Sequence, residues 1–306
     1  MPTINGMKDT ITPASMPPIL TYKVNPGTPT LKLPALTCDS HVHVFGPAVR
    51  FPFAENRNFT PVDAPKETLF ALHRKLGVGR CVIVQSLTHG FDNRVVEDAV
   101  AAGEERYLGV ALVPPNVADA ELQRLAAAGF RAVRFNFMTH LAGSSNMDEV
   151  LALTPRLKVV GMHLQVHFES SLIHSLGPLL SRSAVPVVID HMGRVDASLG
   201  ADQPDFVALH ALLKNPMFYV KVSGIDRIDP HPQGPQPYAN GVALARLLLQ
   251  SYPDHCVWGT DWPHPNHTHV PDDGVLVDAL ARIAPTPSLL DKLLVQNPQS
   301  LYRFAS

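Results

Sequence analysis

The chain has 306 residues, 45% of them hydrophobic and 17% charged, with a formal net charge of −2. Such a chain can bury a sizeable core, and its near-neutral charge leaves no footprint for nucleic acid or an anionic membrane. Cys38, Cys81 and Cys256 are too far apart for a CxxC site and odd in number, which fits a reducing cytoplasm rather than a disulfide framework.

Residues 1–35 are rich in Pro, Thr and Met, without periodicity. They read as an extended tail or strap, not as a signal peptide, and leave 36–306 as one domain. No stretch approaches membrane-spanning length. From residue 37 onward, short apolar runs alternate with helix-like segments. The first run, 37–44, carries His41 and His43 just before Gly46-Pro47. Alternate side chains of a strand share a face, so both imidazoles look into one space. A helix-like segment at 66–76 leads to run 80–86, closing on Ser86, and one at 94–101 leads to run 107–113. Segment 119–128 precedes run 132–137, with Arg134 and Asn136, and segment 147–160 precedes run 163–168, with His167 and then Glu169. Segment 171–181 leads to run 185–190, followed by His191 and Arg194. Segment 205–213 leads to run 218–222, with Lys221, then Ser223 and Arg227. Segment 241–252 leads to run 256–260, followed by Asp261, His264 and Asn266, and segment 275–283 is the last helix of the pattern.

Several runs are apolar on both faces, as parallel strands covered by helices are. Eight strand–helix units in this length are the arithmetic of a (β/α)8 barrel of the TIM type. A doubly wound open sheet would carry a Gly-rich phosphate turn after its first strand, and none is present here.

Barrel chemistry sits at the C-terminal ends of the strands. Four imidazoles at such ends, His41, His43, His167 and His191, together with the Asp261 carboxylate, suit one Zn²⁺ or another divalent ion. Three or four of them would be ligands, leaving a position for water or substrate. Asp261 is then an additional ligand or the proton acceptor. Arg134 lies in an otherwise apolar strand, where it needs an anionic partner: a substrate carboxylate or a structural salt bridge. Arg194 and Arg227 closely follow their strands. The three arginines together predict an anionic substrate, although Arg194 could be salt-bridged and Arg227 exposed on its loop. His73, His174 and His210 fall in helical segments as surface or packing residues. His267 and His269 are expected to be exposed in a loop, and Asp272-Asp273-Gly274 to turn and start a helix.

With these residues assembled, the chain resembles the amidohydrolase superfamily, and within it the branch of 2-pyrone-4,6-dicarboxylate lactonases and related lactone hydrolases. The resemblance covers about 37–304. It rests on Asp39-Ser-His-Val-His-Val-Phe-Gly-Pro47, Val133-Arg-Phe-Asn-Phe137, Val188-Ile-Asp-His-Met-Gly-Arg194 and Trp258-Gly-Thr-Asp-Trp-Pro-His-Pro-Asn266. It implies a distorted barrel and hydrolysis of a cyclic ester, with Asp261 as the general base that activates water. His41, His43 and His191 would surround the lactone carbonyl, directly or through a metal. Ser86, Arg134, Arg194, Arg227 and Asn266 match positions that line the substrate pocket.

Three departures bear on substrate and metal. The fifth strand ends in His167 where the pyrone-dicarboxylate enzymes have tyrosine. A second pocket arginine is replaced by His140, and a loop tyrosine by Phe59. Those enzymes look metal-independent, whereas a fifth-strand histidine completes the superfamily's metal set. The substrate expected is an acidic lactone of aromatic-compound breakdown, either a muconolactone such as 4-sulfomuconolactone or 2-pyrone-4,6-dicarboxylate. The alternatives are a sugar-lactone hydrolase, a lactone isomerase, a metal-dependent decarboxylase and, from another class, a non-catalytic barrel that binds acidic metabolites. The sequence does not determine the oligomeric state.

Overall fold

The computed structural model describes residues 17–138, 146–267 and 269–305. Its centre is an eight-stranded sheet: β1 (Cys38–Val42), β2 (Arg80–Val84), β3 (Tyr107–Ala111), β4 (Phe130–Phe137), β5 (His163–Phe168), β6 (Val187–Ile189), β7 (Phe218–Lys221) and β8 (Cys256–Val257). The strands pair in sequence order, and each of these pairs is parallel. Helices α1 (Lys66–Leu76), α2 (Arg94–Ala102), α3 (Asp119–Ala127), α4 (Met147–Val159), α5 (Ile173–Leu180) and α6 (Pro204–Leu212) fill the first six connections. Two helices, α7 (Ile225–Ile228) and α8 (Ala239–Ser251), separate β7 from β8, and α9 (Asp273–Ile283), α10 (Pro287–Asp291) and α11 (Asn297–Tyr302) follow. This is the barrel expected from the run spacing.

Side-chain alternation sorts the core into two shells. In β2, Val82 and Val84 belong to a small cluster that includes Tyr302 of α11, while Cys81 and Ile83 belong to the large cluster under the helices. Strand β1 breaks the alternation. Cys38 lies in the small inner cluster and Val42 in the outer one, although they are four residues apart. A register shift between Asp39 and Val42 accounts for this. Such a bulge re-aims the residues beyond it, and here it turns His41 and His43 inward.

No β8–β1 ladder is found among the described residues; backbone bonds beyond β8 close the barrel instead. Ser40 N–H donates to Trp258 O (2.8 Å), Asp261 N–H to His41 O (2.8 Å) and His43 N–H to Trp262 O (2.7 Å). The buried Asp39 carboxylate ties the same seam, accepting from Thr260 N–H (3.0 Å) and the Thr260 hydroxyl (2.6 Å). Gly259 lets the two segments touch: a Cβ there would lie 2.5 Å from His41 N and 2.7 Å from His41 Cβ.

From residue 17 the N-terminal segment runs along the barrel as a strap. Ile19 bridges Pro61, Gly27 N–H donates to Asp272 Oδ1 (2.9 Å), and Thr30 N–H and Leu31 N–H both donate to Asp278 Oδ1 (2.8 and 2.9 Å). Among the described residues no helix is long and apolar enough to cross a membrane.

The seam gives a first prediction. Gly259→Ala should cost about 1–3 kcal/mol through overpacking, seen as a lower urea midpoint. It should also lower activity, because the displaced segment carries Asp261.

Candidate active site

Three imidazoles gather around one carboxylate oxygen. Asp261 Oδ1 lies 3.4 Å from His43 Nε2, 3.6 Å from His41 Nε2 and 3.8 Å from His191 Nε2. All four residues are buried. His41 and His43 come from the bulged end of β1. His191 comes from a turn after β6 in which His191, Met192, Gly193 and Arg194 all have positive φ, at 47°, 52°, 63° and 59°. A run of left-handed backbone is unfavourable for residues with a Cβ, at about 1 kcal/mol or more each. The turn spends stability to aim His191 and Arg194 into the barrel mouth. Asp261, His264 and Asn266 also have positive φ (66°, 56° and 56°) in the segment after β8.

The hydrogen-bond partners fix several tautomers. Val84 O can only accept, so His43 donates to it from Nδ1 (2.7 Å). A singly protonated His43 then turns a lone pair on Nε2 toward the Asp261 carboxylate. Two acceptors 3.4 Å apart require a proton or a cation between them. The Asn136 amide oxygen likewise takes the Nδ1 proton of His167 (3.1 Å), leaving His167 Nε2 without a hydrogen-bond partner among the described residues. His41 Nε2 and Asp261 Oδ1 are also buried without hydrogen-bond partners among the described residues. His41, His191 and Asp261 offer ligand atoms within 4.8 Å of one another. Nitrogen and carboxylate donors left unsatisfied around one point fit a borderline divalent cation such as Zn²⁺. His43 and His167 flank the group.

Electrostatics hold this set ready to bind. Burial would raise the Asp261 carboxyl, but Arg227 and then His191 hold it well below the usual carboxylate range. The main anchor is the ion pair from Arg227 Nε to Asp261 Oδ2. Burial, followed by the nearby Lys221 ammonium, drives His41 down to about 3. Burial also pushes His167 and His191 well below the ordinary histidine value. Neutral imidazoles are the form that ligates a metal.

Beneath His41 lies a second layer of charge. Asp190 Oδ2 accepts from Arg134 Nε (2.8 Å) and Gln165 Nε2 (3.0 Å). Lys221, fully buried, reaches Ser40 O and Gln165 Oε1 (both 2.9 Å) and His41 Nδ1 (3.1 Å). Asp190 is thus the acid that partners Arg134 and is also 3.5 Å from Lys221.

Above the metal-type group opens a cleft with a cavity volume of about 90 Å³, lined by Ser86, Arg134, His167, Arg194, Arg227 and Asn266, among others. Arg134 and Arg227 already have carboxylate partners. Among the described residues Arg194 makes no ion pair; burial and then repulsion from Arg227 lower it to about 10. An anion in the cleft would relieve that repulsion.

The family model for amidohydrolases matches residues 38–304. The chain belongs to that family. This amidohydrolase is 42% identical over 292 residues to a 2-pyrone-4,6-dicarboxylate hydrolase of Comamonas testosteroni, covering 92% of this chain and 95% of that protein. It is 38% identical over 275 residues to a 4-sulfomuconolactone hydrolase of Hydrogenophaga intermedia, covering 88% of this chain and 89% of the relative. Among solved structures it is similar to a 2-pyrone-4,6-dicarboxylic acid hydrolase of Pseudomonas putida described as putative. The TM-score is 0.77 at 29% identity, with 90% of this chain and all of that one covered.

Most residues expected at the site of this amidohydrolase converge there. Arg134 meets the structural alternative, a salt bridge to Asp190, while still lining the cleft. Arg227 is buried on Asp261 rather than exposed on its loop. His140 lies outside the described residues. One expectation is corrected. His267 is not solvent-exposed, because its imidazole is buried against the Asp226 carboxylate. His73 is one of the expected packing residues: it is buried, its Nδ1 bonds Tyr107 Oη (2.8 Å) and its Nε2 lies 3.6 Å from the seam carboxylate of Asp39. Gln165 was missed. Its signal was present, since His163, Gln165 and His167 alternate along β5 and one face of that strand is therefore polar. Asn58 and Leu87 also line the cleft, but they come from loops that carry no pattern.

Asp190→Ala would leave the Arg134 and Lys221 charges buried without their shared acid. The loss should be about 3–5 kcal/mol, read from denaturant unfolding, with Asp190→Asn losing less.

Proposed function

We propose that this amidohydrolase opens an acidic lactone bearing two anionic groups, the class that contains both 4-sulfomuconolactone and 2-pyrone-4,6-dicarboxylate. The observation that carries the reading is the placing of Arg134, Arg194 and Arg227 around one cleft whose floor is Asp261 and three imidazoles. Names borne by relatives at 42% and 38% identity support the same class. The pocket departures at His167 and Phe59 favour the muconolactone type, and the higher identity to the pyrone-dicarboxylate enzyme favours the pyrone.

In this reading, His41, His191 and Asp261 hold one divalent cation, with His43 and His167 available beside them. Such a cation would polarise the ester carbonyl and ease ionisation of the attacking water. The protein's own groups do the rest. Asp261, an ionised carboxylate at the mouth of the barrel, accepts the proton of water as it attacks the carbonyl carbon. The tetrahedral carbon then collapses, the ring C–O bond breaks, and the proton held on Asp261 can pass to the departing oxygen. Arg227 keeps the Asp261 carboxylate oriented through Oδ2, leaving Oδ1 for chemistry. Arg194, which has no ion pair among the described residues, takes one acidic group of the substrate. Arg134, anchored by Asp190, faces the same cleft with Ser86 and Asn266. Holding the ester at a fixed distance from the base supplies part of the rate.

A panel of lactones tests the class. The two acidic lactones should turn over, and a neutral lactone of similar size should fall by about 10²-fold or more in kcat/KM; equal turnover of the neutral compound would remove the arginines from recognition. Asp261→Asn should lower kcat by about 10³-fold with an unchanged circular dichroism spectrum. Chelation should abolish activity and added Zn²⁺ restore it; full activity in metal-free protein would leave the imidazoles as the only polarising groups.

A further inference from the structure

Lys221 takes no part in the chemistry above, yet it is fully buried at the end of β7, directly beneath the site. An ammonium group has three protons. Here they have three hydrogen-bond acceptors: Ser40 O at 2.9 Å, Gln165 Oε1 at 2.9 Å and His41 Nδ1 at 3.1 Å. The first two assignments are not negotiable. Ser40 O is a carbonyl and can only accept. Gln165 gives its amide N–H to Asp190 Oδ2, so its oxygen must face the lysine. The third proton has a choice between His41 Nδ1 at 3.1 Å and Asp190 Oδ1 at 3.5 Å. The nearer atom is the imidazole nitrogen.

A donor at His41 Nδ1 requires a lone pair there. Neutral His41 then carries its proton on Nε2, directed toward Asp261 Oδ1 at 3.6 Å. Nε2 is the same atom that His41 would offer to a cation. We propose that Lys221 is a positioning residue that holds the His41 proton on Nε2, so that cation binding has to displace it. This rests on the cation site proposed above. Upon binding, the Nε2 proton leaves and Nδ1 takes one up, keeping His41 neutral. Nδ1–H then donates to Asp190 Oδ1, 3.3 Å away, and the third Lys221 N–H turns to the same carboxylate. The second arrangement is a carboxylate–histidine pair of the kind that orients metal ligands. Lys221 therefore biases the site against the cation, and Asp190 toward it. The residues below His41 would set how readily this barrel gains or loses its metal.

The test combines tautomer and affinity. In chelator-stripped wild-type protein with ¹⁵N-labelled histidine, long-range ¹H–¹⁵N correlation spectra, assigned with His41→Asn, should show His41 protonated on Nε2. Zinc loading should move that proton to Nδ1. In Lys221→Met, the stripped protein should already be protonated on Nδ1, and zinc should bind roughly tenfold more tightly by chelator competition. An Nδ1 proton in the stripped wild type overturns the proposal, as does equal zinc affinity in folded Lys221→Met. If that variant does not fold, the wild-type spectrum decides. If neither protein binds zinc, the cation reading fails, and the His41 tautomer still reports whether Lys221 donates to it.

Discussion

The mouth of this barrel depends on how the chain beyond β8 closes onto β1. Three backbone hydrogen bonds, the buried Asp39 carboxylate and the absence of a side chain at Gly259 bring the two segments into direct contact. One of those bonds runs from Asp261 N–H to His41 O. The candidate base is therefore registered against the candidate ligands by main-chain geometry, and their separation does not depend on flexible side chains. A pre-set separation matters because a small misplacement of reacting groups costs a large factor in rate.

Around that seam the charges form two tiers. In the upper tier Arg227 compensates Asp261 from one side, and neutral imidazoles face it from the other. In the lower tier Asp190 is shared by Arg134 and Lys221. Each acid is matched against cations it can reach, so that buried charge is tolerated. Nearby cations outweigh burial and keep both acids ionised, while burial keeps His41, His167 and His191 neutral. Arg194, which makes no ion pair among the described residues, lines the open cleft. The same arrangement that makes the barrel interior stable leaves an attraction for anions at its mouth.

Much of this was legible in the chain. Eight alternations of apolar run and helical segment define the barrel, because parallel strands need covered faces and right-handed crossovers. Polar residues closing those runs mark the candidate site, because a barrel exposes its strand ends. His41, His43, His191, Asp261 and the three arginines follow from that rule. His267 shows its limit: a histidine in a Pro-rich loop looks solvent-exposed, and only the folding of that loop onto α7 delivers Asp226 to it. His73 packs as one of the expected alternatives, but helical spacing does not reveal that one face of α1 packs on the seam.

The sequence by itself determined the fold class, the family and the identity of the chemical groups, because these depend on periodicity and on residue types at strand ends. Tertiary structure decided what each group is free to do. Arg134 and Arg194 look equivalent in sequence, yet one is partnered by Asp190 and the other makes no ion pair among the described residues. The proton of His41 follows from four residues on four strands or their ends, Ser40, Gln165, Asp190 and Lys221, up to 181 positions apart. Such a pattern cannot be read along the chain, because a tautomer is set by which acceptor lies nearest in space.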